Sequence, residues 1–119
     1  MIRFIAILFG IGFIFAGVAG FMPAFTYNGA LFGIFEVDSM HNLVHIVSGV
    51  LAIMAATSFK LTRLYFLIFG AVYILVAILG FARHGDLFMM HVNMADNFLH
   101  LGIGIISLFL GYYASKKQA

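Results

Sequence analysis

Four long apolar stretches constrain the fold more than any other feature of this sequence. They run from about Phe4 to Met22, His41 to Phe59, Leu64 to Ala82 and Asn97 to Ala114. Each has roughly the 20 residues that an α-helix needs to cross a hydrocarbon core of about 30 Å. None shows the alternating polarity of a membrane β-strand. Because lipid requires every backbone hydrogen bond to close internally, the stretches predict four transmembrane helices.

The composition agrees with a lipid environment. Of 119 residues, 65% are hydrophobic and 8% are charged, which leaves too little polar surface to cover a water-soluble globule. We therefore predict one integral membrane domain over residues 1–119, with the lipid bilayer as its main partner. The absence of cysteine excludes disulfide frameworks, thiolate metal sites and cysteine nucleophiles.

The charged residues divide between the two ends of the predicted helices. One end carries Arg3, Lys60, Arg63, Lys116 and Lys117. The other carries Arg83 and all four acids, Glu36, Asp38, Asp86 and Asp96. The positive-inside rule then predicts that the N- and C-termini are both cytoplasmic. No basic patch with interleaved aromatic residues remains, so nucleic acid is not an expected partner.

The sequence also contains an internal repeat. Phe9-Gly10 and Gly20-Phe21 recur with the same separation as Phe69-Gly70 and Gly80-Phe81. The second and fourth helices also match each other, because His41-Asn42-Leu-Val-His45 with Gly49 corresponds to Asp96-Asn97-Phe-Leu-His100 with Gly104. We predict an all-α bundle of four transmembrane helices made of two tandem (parallel) helix-pair repeats, residues 1–60 and 61–119, related by an axis along the membrane normal.

The polar residues of the apolar stretches concentrate at the outer ends of the second and fourth helices. His41 and His45 are four residues apart, as are Asp96 and His100, so each pair shares one helical face. Ionisable side chains at membrane depth usually line a bundle interior and indicate a functional site. Three imidazoles and one carboxylate form a ligand set typical of zinc or copper. We therefore predict a metal site made of His41, His45, Asp96 and His100.

Four neighbouring side chains have supporting roles in this prediction. Asn42 and Asn97 would orient the imidazole rings from behind. Asp38 and Asn93 stand where they would cap the starts of the two helices. His84 and His91 are expected to be solvated residues of the outer loop, and the methionines, of which only Met89-Met90 form a cluster, to serve as packing.

Two alternatives remain open at this stage. In the first, the His, Asn and Asp side chains only lock the helices together, no cofactor is bound, and the protein is a membrane scaffolding or assembly module. Its apolar outer loops, Ala24–Val37 and Leu87–Val92, would lie at the lipid interface or over the bundle mouth and contact a membrane protein partner. In the second, a b-type haem uses His45 and His100 as axial ligands.

Two further patterns bear on assembly and activity. Gly12, Ala16 and Gly20 form a stripe of small residues that predicts close packing within the bundle or, alternatively, a homo-oligomer face. The sequence has neither a nucleophile elbow with a catalytic triad nor a phosphate-binding glycine loop. We therefore expect a non-enzymatic protein.

The two histidine motifs carry a family resemblance. With His-Asn-x-x-His opening the second helix, Asp-Asn-x-x-His opening the fourth, and Gly49 and Gly104 after them, the chain resembles a bacterial family of small four-helix integral membrane proteins known as a domain of unknown function. The resemblance covers most of the chain. It implies a four-helix fold, a location in the bacterial cytoplasmic (inner) membrane and the importance of these residues, and it implies no activity.

Overall fold

The computed structural model describes residues 1–114, which form four helices in antiparallel succession. Their bounds are α1 Ile2–Gly20, α2 Ser39–Ala55, α3 Phe59–Ala82 and α4 Met94–Phe109, and α4 continues as a π-helical turn over Leu110–Ala114. Lys116 and Lys117, which the sequence assigns to the basic end, lie outside the described residues.

Three helices of the described chain are long and apolar enough to cross a membrane. They are Ile2–Gly20, Phe59–Ala82 and Met94–Tyr113. The fourth, α2, is also apolar but has 17 residues, which span about 26 Å at about 1.5 Å per residue. Many large apolar side chains on the outside of the bundle are exposed, among them Phe4, Val47, Leu75 and Phe98. Such an apolar surface suits lipid and is foreign to a soluble monomer.

Capping side chains set the helix starts, and they move two boundaries away from those predicted. Ser58 accepts a hydrogen bond from the backbone of Leu61, so α3 begins at Phe59. Residues 60–63, which lie between the second and third apolar stretches, are therefore helical, and the chain turns earlier, at residues 56–58. Asn93 accepts a hydrogen bond from the backbone of Asp96, which confirms its predicted capping role. The helix α4 therefore begins at Met94, three residues before the apolar stretch that starts near Asn97.

Glycines bring α1 against α2 and α3 against α4. A Cβ atom at Gly49 would lie 2.6 Å from the carbonyl oxygen of Gly10, and one at Gly104 would lie 2.9 Å from that of Gly70. Real Cβ atoms do not approach a backbone oxygen so closely, so only glycine fits these crossings. Gly12 belongs to the predicted small-residue stripe, but a Cβ atom at this position would meet no neighbouring atom within 4 Å. Gly12 therefore does not lie at a close helix crossing.

The basic end of each helix pair is closed by an arginine. Arg3 Nε donates to the carbonyl oxygen of Ala56 at 2.7 Å, and Arg63 Nε donates to that of Gly111 at 3.1 Å. Arg3 lies at the start of α1 and Arg63 at the start of α3. Each side chain therefore supplies a donor to a carbonyl group near the end of the partner helix.

The segment between α1 and α2 folds into a small antiparallel meander that was not predicted. Its strands are β1 Thr26–Tyr27, β2 Ala30–Leu31 and β3 Phe35–Glu36, in the order β1-β2-β3. Asn28 and Gly29 connect the first two strands with φ angles of 51° and 76°. Two consecutive positive φ angles define a type I′ hairpin turn, for which Asn-Gly is the preferred sequence.

The interior of the bundle changes character along its length. At the basic end the core is apolar and centres on Phe66, Ile2, Ala6 and Ala52, none of which is exposed. At the outer end of the described bundle, among apolar residues such as Leu31 and Val92, six buried side chains are polar. They are His41, Asn42, His45, Asp96, Asn97 and His100.

Candidate metal centre

Three histidine side chains converge at the outer end of the bundle. His41 and His45 come from the first two turns of α2, and His100 comes from the second turn of α4. One ring nitrogen of each lies within 4.8 Å of the other two, and all three side chains are buried. A tetrahedral ion with bonds of about 2.0–2.1 Å holds its nitrogen ligands about 3.3 Å apart. Modest ring rotations would therefore bring the three nitrogens to coordination distance.

The His41 ring is held in a defined tautomer. Its Nδ1 atom lies 3.0 Å from the carbonyl oxygen of Glu36, at the end of β3. A carbonyl oxygen can only accept, so Nδ1 carries the proton and the neutral ring leaves a lone pair on Nε2. This Nε2 atom is buried and has no hydrogen-bond partner among the described residues. A backbone carbonyl behind one ring nitrogen is the usual arrangement of a metal-binding histidine.

The other two rings also carry buried nitrogens without a described partner. These atoms are Nδ1 of His45 and both nitrogens of His100. A buried polar atom left unpaired costs about 1–3 kcal/mol, so the cluster lowers the stability of the bundle unless another group satisfies it. An ion that accepts several nitrogen lone pairs at once would do so.

A cavity of about 70 Å³ lies against the three rings. Its volume exceeds the roughly 30 Å³ that one water molecule occupies in the liquid. Apart from the histidines, the residues with polar or sulfur atoms on its wall are Ser48, Tyr73 and Met90. The cavity therefore has room for an ion and a small additional ligand.

Asp96, the fourth predicted ligand, is not a member of the histidine group. Its Oδ2 atom accepts a hydrogen bond from the backbone N–H of Asn93 at 2.9 Å, while the Asn93 side chain accepts one from the backbone of Asp96. The two residues thus form a capping box at the start of α4. The structure brings together three of the four predicted ligands and directs the carboxylate to the helix end.

The two asparagines pack against glycines of the neighbouring helix. A Cβ atom at Gly20 would collide with the side-chain oxygen of Asn42, and one at Gly80 would collide with that of Asn97. Neither amide is hydrogen-bonded to a histidine ring in the described part of the chain. The predicted orienting role belongs instead, for His41, to the carbonyl of Glu36.

Tyr73 and Ser48 line the cavity and were not predicted. The Tyr73 hydroxyl donates to Ser48 Oγ at 3.1 Å, and the Tyr73 ring lies 5.4 Å from the His100 ring between centroids. A buried hydroxyl inside an apolar helix needs a nearby partner, and this requirement was the available signal. Tyr73 closes the floor of the cavity beneath His100.

Two segments cover the site from outside and are joined to each other. Asp38 caps α2 by accepting from the backbone of His41, and its second oxygen accepts from the backbone of His91 at 2.9 Å. Asn93 Nδ2 donates to the carbonyl oxygen of Ile34 at 2.8 Å. The imidazoles of His84 and His91 belong to exposed residues, as predicted for the outer loop.

Residues 3–113 match the family described as Domain of unknown function (DUF4383). The chain belongs to this family. The match spans both helix pairs and the three histidines, and it confirms the resemblance carried by the two histidine motifs. No curated protein and no solved structure matches the DUF4383 chain described here.

The DUF4383 chain also has a surface groove of about 260 Å³ that reaches the site from the side of the bundle. Phe9, Gly12, Phe13 and Ala16 of α1 form one wall, and Leu99 and Ile103 of α4 form the other. His45 is the polar residue at its base. The groove is otherwise apolar, as expected for a surface that faces lipid.

Proposed function

We propose that the protein is a small integral membrane protein that crosses the bacterial cytoplasmic membrane four times, with both termini in the cytoplasm. The 17-residue α2 is apolar and packs against α1 along its length, which supports a fourth crossing. Arg3, Lys60 and Arg63 lie at one end, and Glu36 and Asp38 at the other. This asymmetry supports the orientation.

The two helix pairs are, in this proposal, tandem copies of one unit. The contacts of Gly49 with Gly10 and of Gly104 with Gly70 occupy corresponding positions in the matched sequence segments. The contacts of Asn42 with Gly20 and of Asn97 with Gly80 correspond in the same way. His41 and Asp96 both stand three residues after a capping residue, so they occupy corresponding positions in the two copies. The first copy has an imidazole at this position and the second has a carboxylate.

The proposed role of this membrane domain is to bind a transition-metal ion at the outer end of the bundle through His41, His45 and His100. The observation that carries the proposal is the arrangement of the His41 ring. Its Nδ1–H group donates a hydrogen bond to the Glu36 carbonyl oxygen, while its Nε2 atom is buried and unpaired beside the other two imidazoles. Neutral imidazoles with free lone pairs are ligands for zinc and copper.

The two alternatives from the sequence receive less support. A haem bound to His45 and His100 would approach the backbone at Gly49 and Gly104. The space beside these glycines is occupied by the side chains of Ile14 and Ile74. The cavity of about 70 Å³ is also far below the roughly 300 Å³ at which pockets for larger ligands begin. A purely structural lock would pair its polar atoms across the helices, whereas the ring nitrogens named above are unpaired.

Elemental analysis of the purified protein tests the proposal. The protein is prepared in detergent through a histidine-free affinity tag, and zinc and copper are measured per chain together with the absorption spectrum. We expect close to one equivalent of metal in the wild type and a loss of at least tenfold in occupancy in His45→Ala and His100→Ala.

His84→Asn is the matched control, because it removes an imidazole from an exposed position with φ of 53° where asparagine is tolerated. It should retain the wild-type metal content. Metal content unchanged in both His45→Ala and His100→Ala would overturn the proposal. A Soret band that disappears in the same variants would replace it with the haem alternative.

A further inference from the structure

We infer, on the basis of the proposed metal site, that the bound ion is copper(I) and that the thioether of Met90 is its fourth ligand. Met90 lines the same cavity as His41, His45 and His100, from the segment that covers the site. Its neighbour Met89 is 75% exposed, so the two adjacent methionines have different environments.

Among the lining residues other than the histidines, Met90 is the one whose side chain carries a donor atom without a described bond. Ser48 and Tyr73 are the other residues there with a polar side-chain atom, and their hydroxyls are hydrogen-bonded to each other. Within residues 1–114, no hydrogen bond to the Met90 side chain is found. The thioether of Met90 is therefore the remaining side-chain donor for a fourth ligand.

Met90 is held in place by its neighbours. The backbone of Leu87 donates to the Met90 carbonyl at 3.1 Å, and Asp86 pairs with His91 in an isolated antiparallel bridge. The His91 backbone in turn donates to Asp38, which caps the helix that carries His41. The residue before His91 is thus fixed beside the start of α2.

The charge of the donor set favours a monovalent ion. Three imidazoles and one thioether carry no charge, and the two nearby carboxylates are engaged elsewhere. Asp38 accepts from His41 and His91, and Asp96 accepts from Asn93. The cost of moving an ion from water into a low-dielectric site rises with the square of its charge, so it is about four times larger for a divalent ion than for a monovalent one.

The chemistry of the donor set points the same way. Thioether sulfur is a soft ligand that selects copper(I), whereas zinc in proteins is bound by thiolate, imidazole or carboxylate. A site with three nitrogens, one thioether and no anionic ligand therefore prefers copper(I) to zinc.

Paired leucine substitutions test the inference, since leucine keeps the volume of methionine and removes the sulfur. Copper(I) affinity is measured anaerobically by competition with bathocuproine disulfonate, and zinc affinity by competition with a chromophoric chelator. We expect Met90→Leu to weaken copper(I) binding at least tenfold and to change zinc binding less than threefold. The control, Met89→Leu, should change neither.

X-ray absorption at the copper edge provides a second readout that does not require a variant to fold. The chain has no cysteine, so sulfur scattering around copper(I) in the wild type can come only from methionine. We expect a sulfur shell in the wild type and in Met89→Leu, and its loss in Met90→Leu.

The outcomes separate this inference from the proposed function. A copper(I) site without a sulfur shell, or one whose affinity Met90→Leu leaves unchanged, overturns the role of Met90 while the histidine site stands. Zinc binding stronger than copper(I) binding overturns the choice of metal. Failure of the wild type to bind either ion overturns the proposed function itself.

Discussion

Asp38 is the residue that connects the two covering segments to the start of α2. One carboxylate oxygen accepts from the backbone N–H of His41 at 2.8 Å and the other accepts from that of His91 at 2.9 Å. The first bond caps α2, and the second holds the segment before α4. A single side chain thus positions one histidine ligand and the neighbour of Met90.

Substituting Asp38 should separate these two roles. Asparagine has one side-chain oxygen and can keep the cap, but its amide nitrogen cannot accept from His91. We expect Asp38→Asn to leave the unfolding free energy within about 0.5 kcal/mol, and Asp38→Ala to lower it by about 1 kcal/mol through loss of the cap. Both should raise hydrogen exchange at residues 84–92, measured by mass spectrometry.

Asn93→Ala is the comparison for these variants, because it removes the cap of α4 and the bond to Ile34 while leaving Asp38 intact. Wild-type exchange rates at residues 84–92 in both Asp38 variants would show that the bond to His91 does not hold this segment.

Much of the site was predictable at the level of single residues, and Asp96 shows where the prediction stopped. The four-residue spacing of His41 and His45 identifies a shared helical face, and the matched segments identify His100. Spacing alone does not say whether a carboxylate near a helix start turns inward or toward the backbone. Asn93 and Asp96 stand three apart, which is the spacing of a capping box and favours the second orientation. Met90 and Tyr73 required the three-dimensional structure, because their segments approach the histidines only through the fold.

At the scale of the helices, packing depends on a few glycines. Gly49 and Gly104 each face a glycine carbonyl and an isoleucine of the neighbouring helix. At Gly12 and Gly102, which lie on helices of the same bundle, an added Cβ atom would meet no neighbouring atom within 4 Å. The same substitution therefore has opposite consequences at positions that the sequence alone does not distinguish.

We expect Gly49→Ala and Gly104→Ala to destabilise the bundle by about 1–3 kcal/mol each, since the added methyl group has to displace backbone. The two values should be similar, because the two contacts correspond. Gly12→Ala and Gly102→Ala should be neutral or stabilising by up to about 1 kcal/mol, as alanine favours a helix over glycine. Unfolding in mixed detergent micelles with increasing SDS, followed by circular dichroism, measures all four.

Equal stabilities for Gly49→Ala and Gly12→Ala would contradict the close crossing of α1 and α2. A large difference between Gly49→Ala and Gly104→Ala would contradict the correspondence of the two helix pairs.

The helices themselves were predictable because lipid leaves few alternatives, whereas the meander was not. Apolar runs of about 20 residues identify helices regardless of detail. The strands have two residues each, which is too short for any periodic pattern to appear. Asn28-Gly29 was the available signal, since this pair favours a two-residue hairpin turn. The missed start of α3 has a similar cause, because Ser58 resembles a loop residue until its side chain is seen to cap.

At the scale of the whole molecule, the bundle has an apolar core at its basic end and the histidine cluster at its outer end, and the proposed orientation places the cluster on the non-cytoplasmic side. The absence of cysteine makes this topology accessible to labelling without background. Tyr27 in the turn region of the meander is 70% exposed, and Lys60 in the first turn of α3 is exposed at the basic end.

We expect Tyr27→Cys to react with a membrane-impermeant maleimide in intact spheroplasts and Lys60→Cys to react only after the membrane is opened. The physical reason is that the bilayer excludes the charged reagent from the basic end. Labelling yields on denaturing gels measure both. Reaction of Lys60→Cys in intact spheroplasts, with Tyr27→Cys protected, would reverse the proposed orientation.

The bonds between Asp38 and His91 and between Asn93 and Ile34 close the outer segments over the histidines. An ion bound beneath this cover would exchange with the surrounding water only when the cover opens. Its residence time would then depend on how often the two segments open as well as on how tightly the nitrogens hold it.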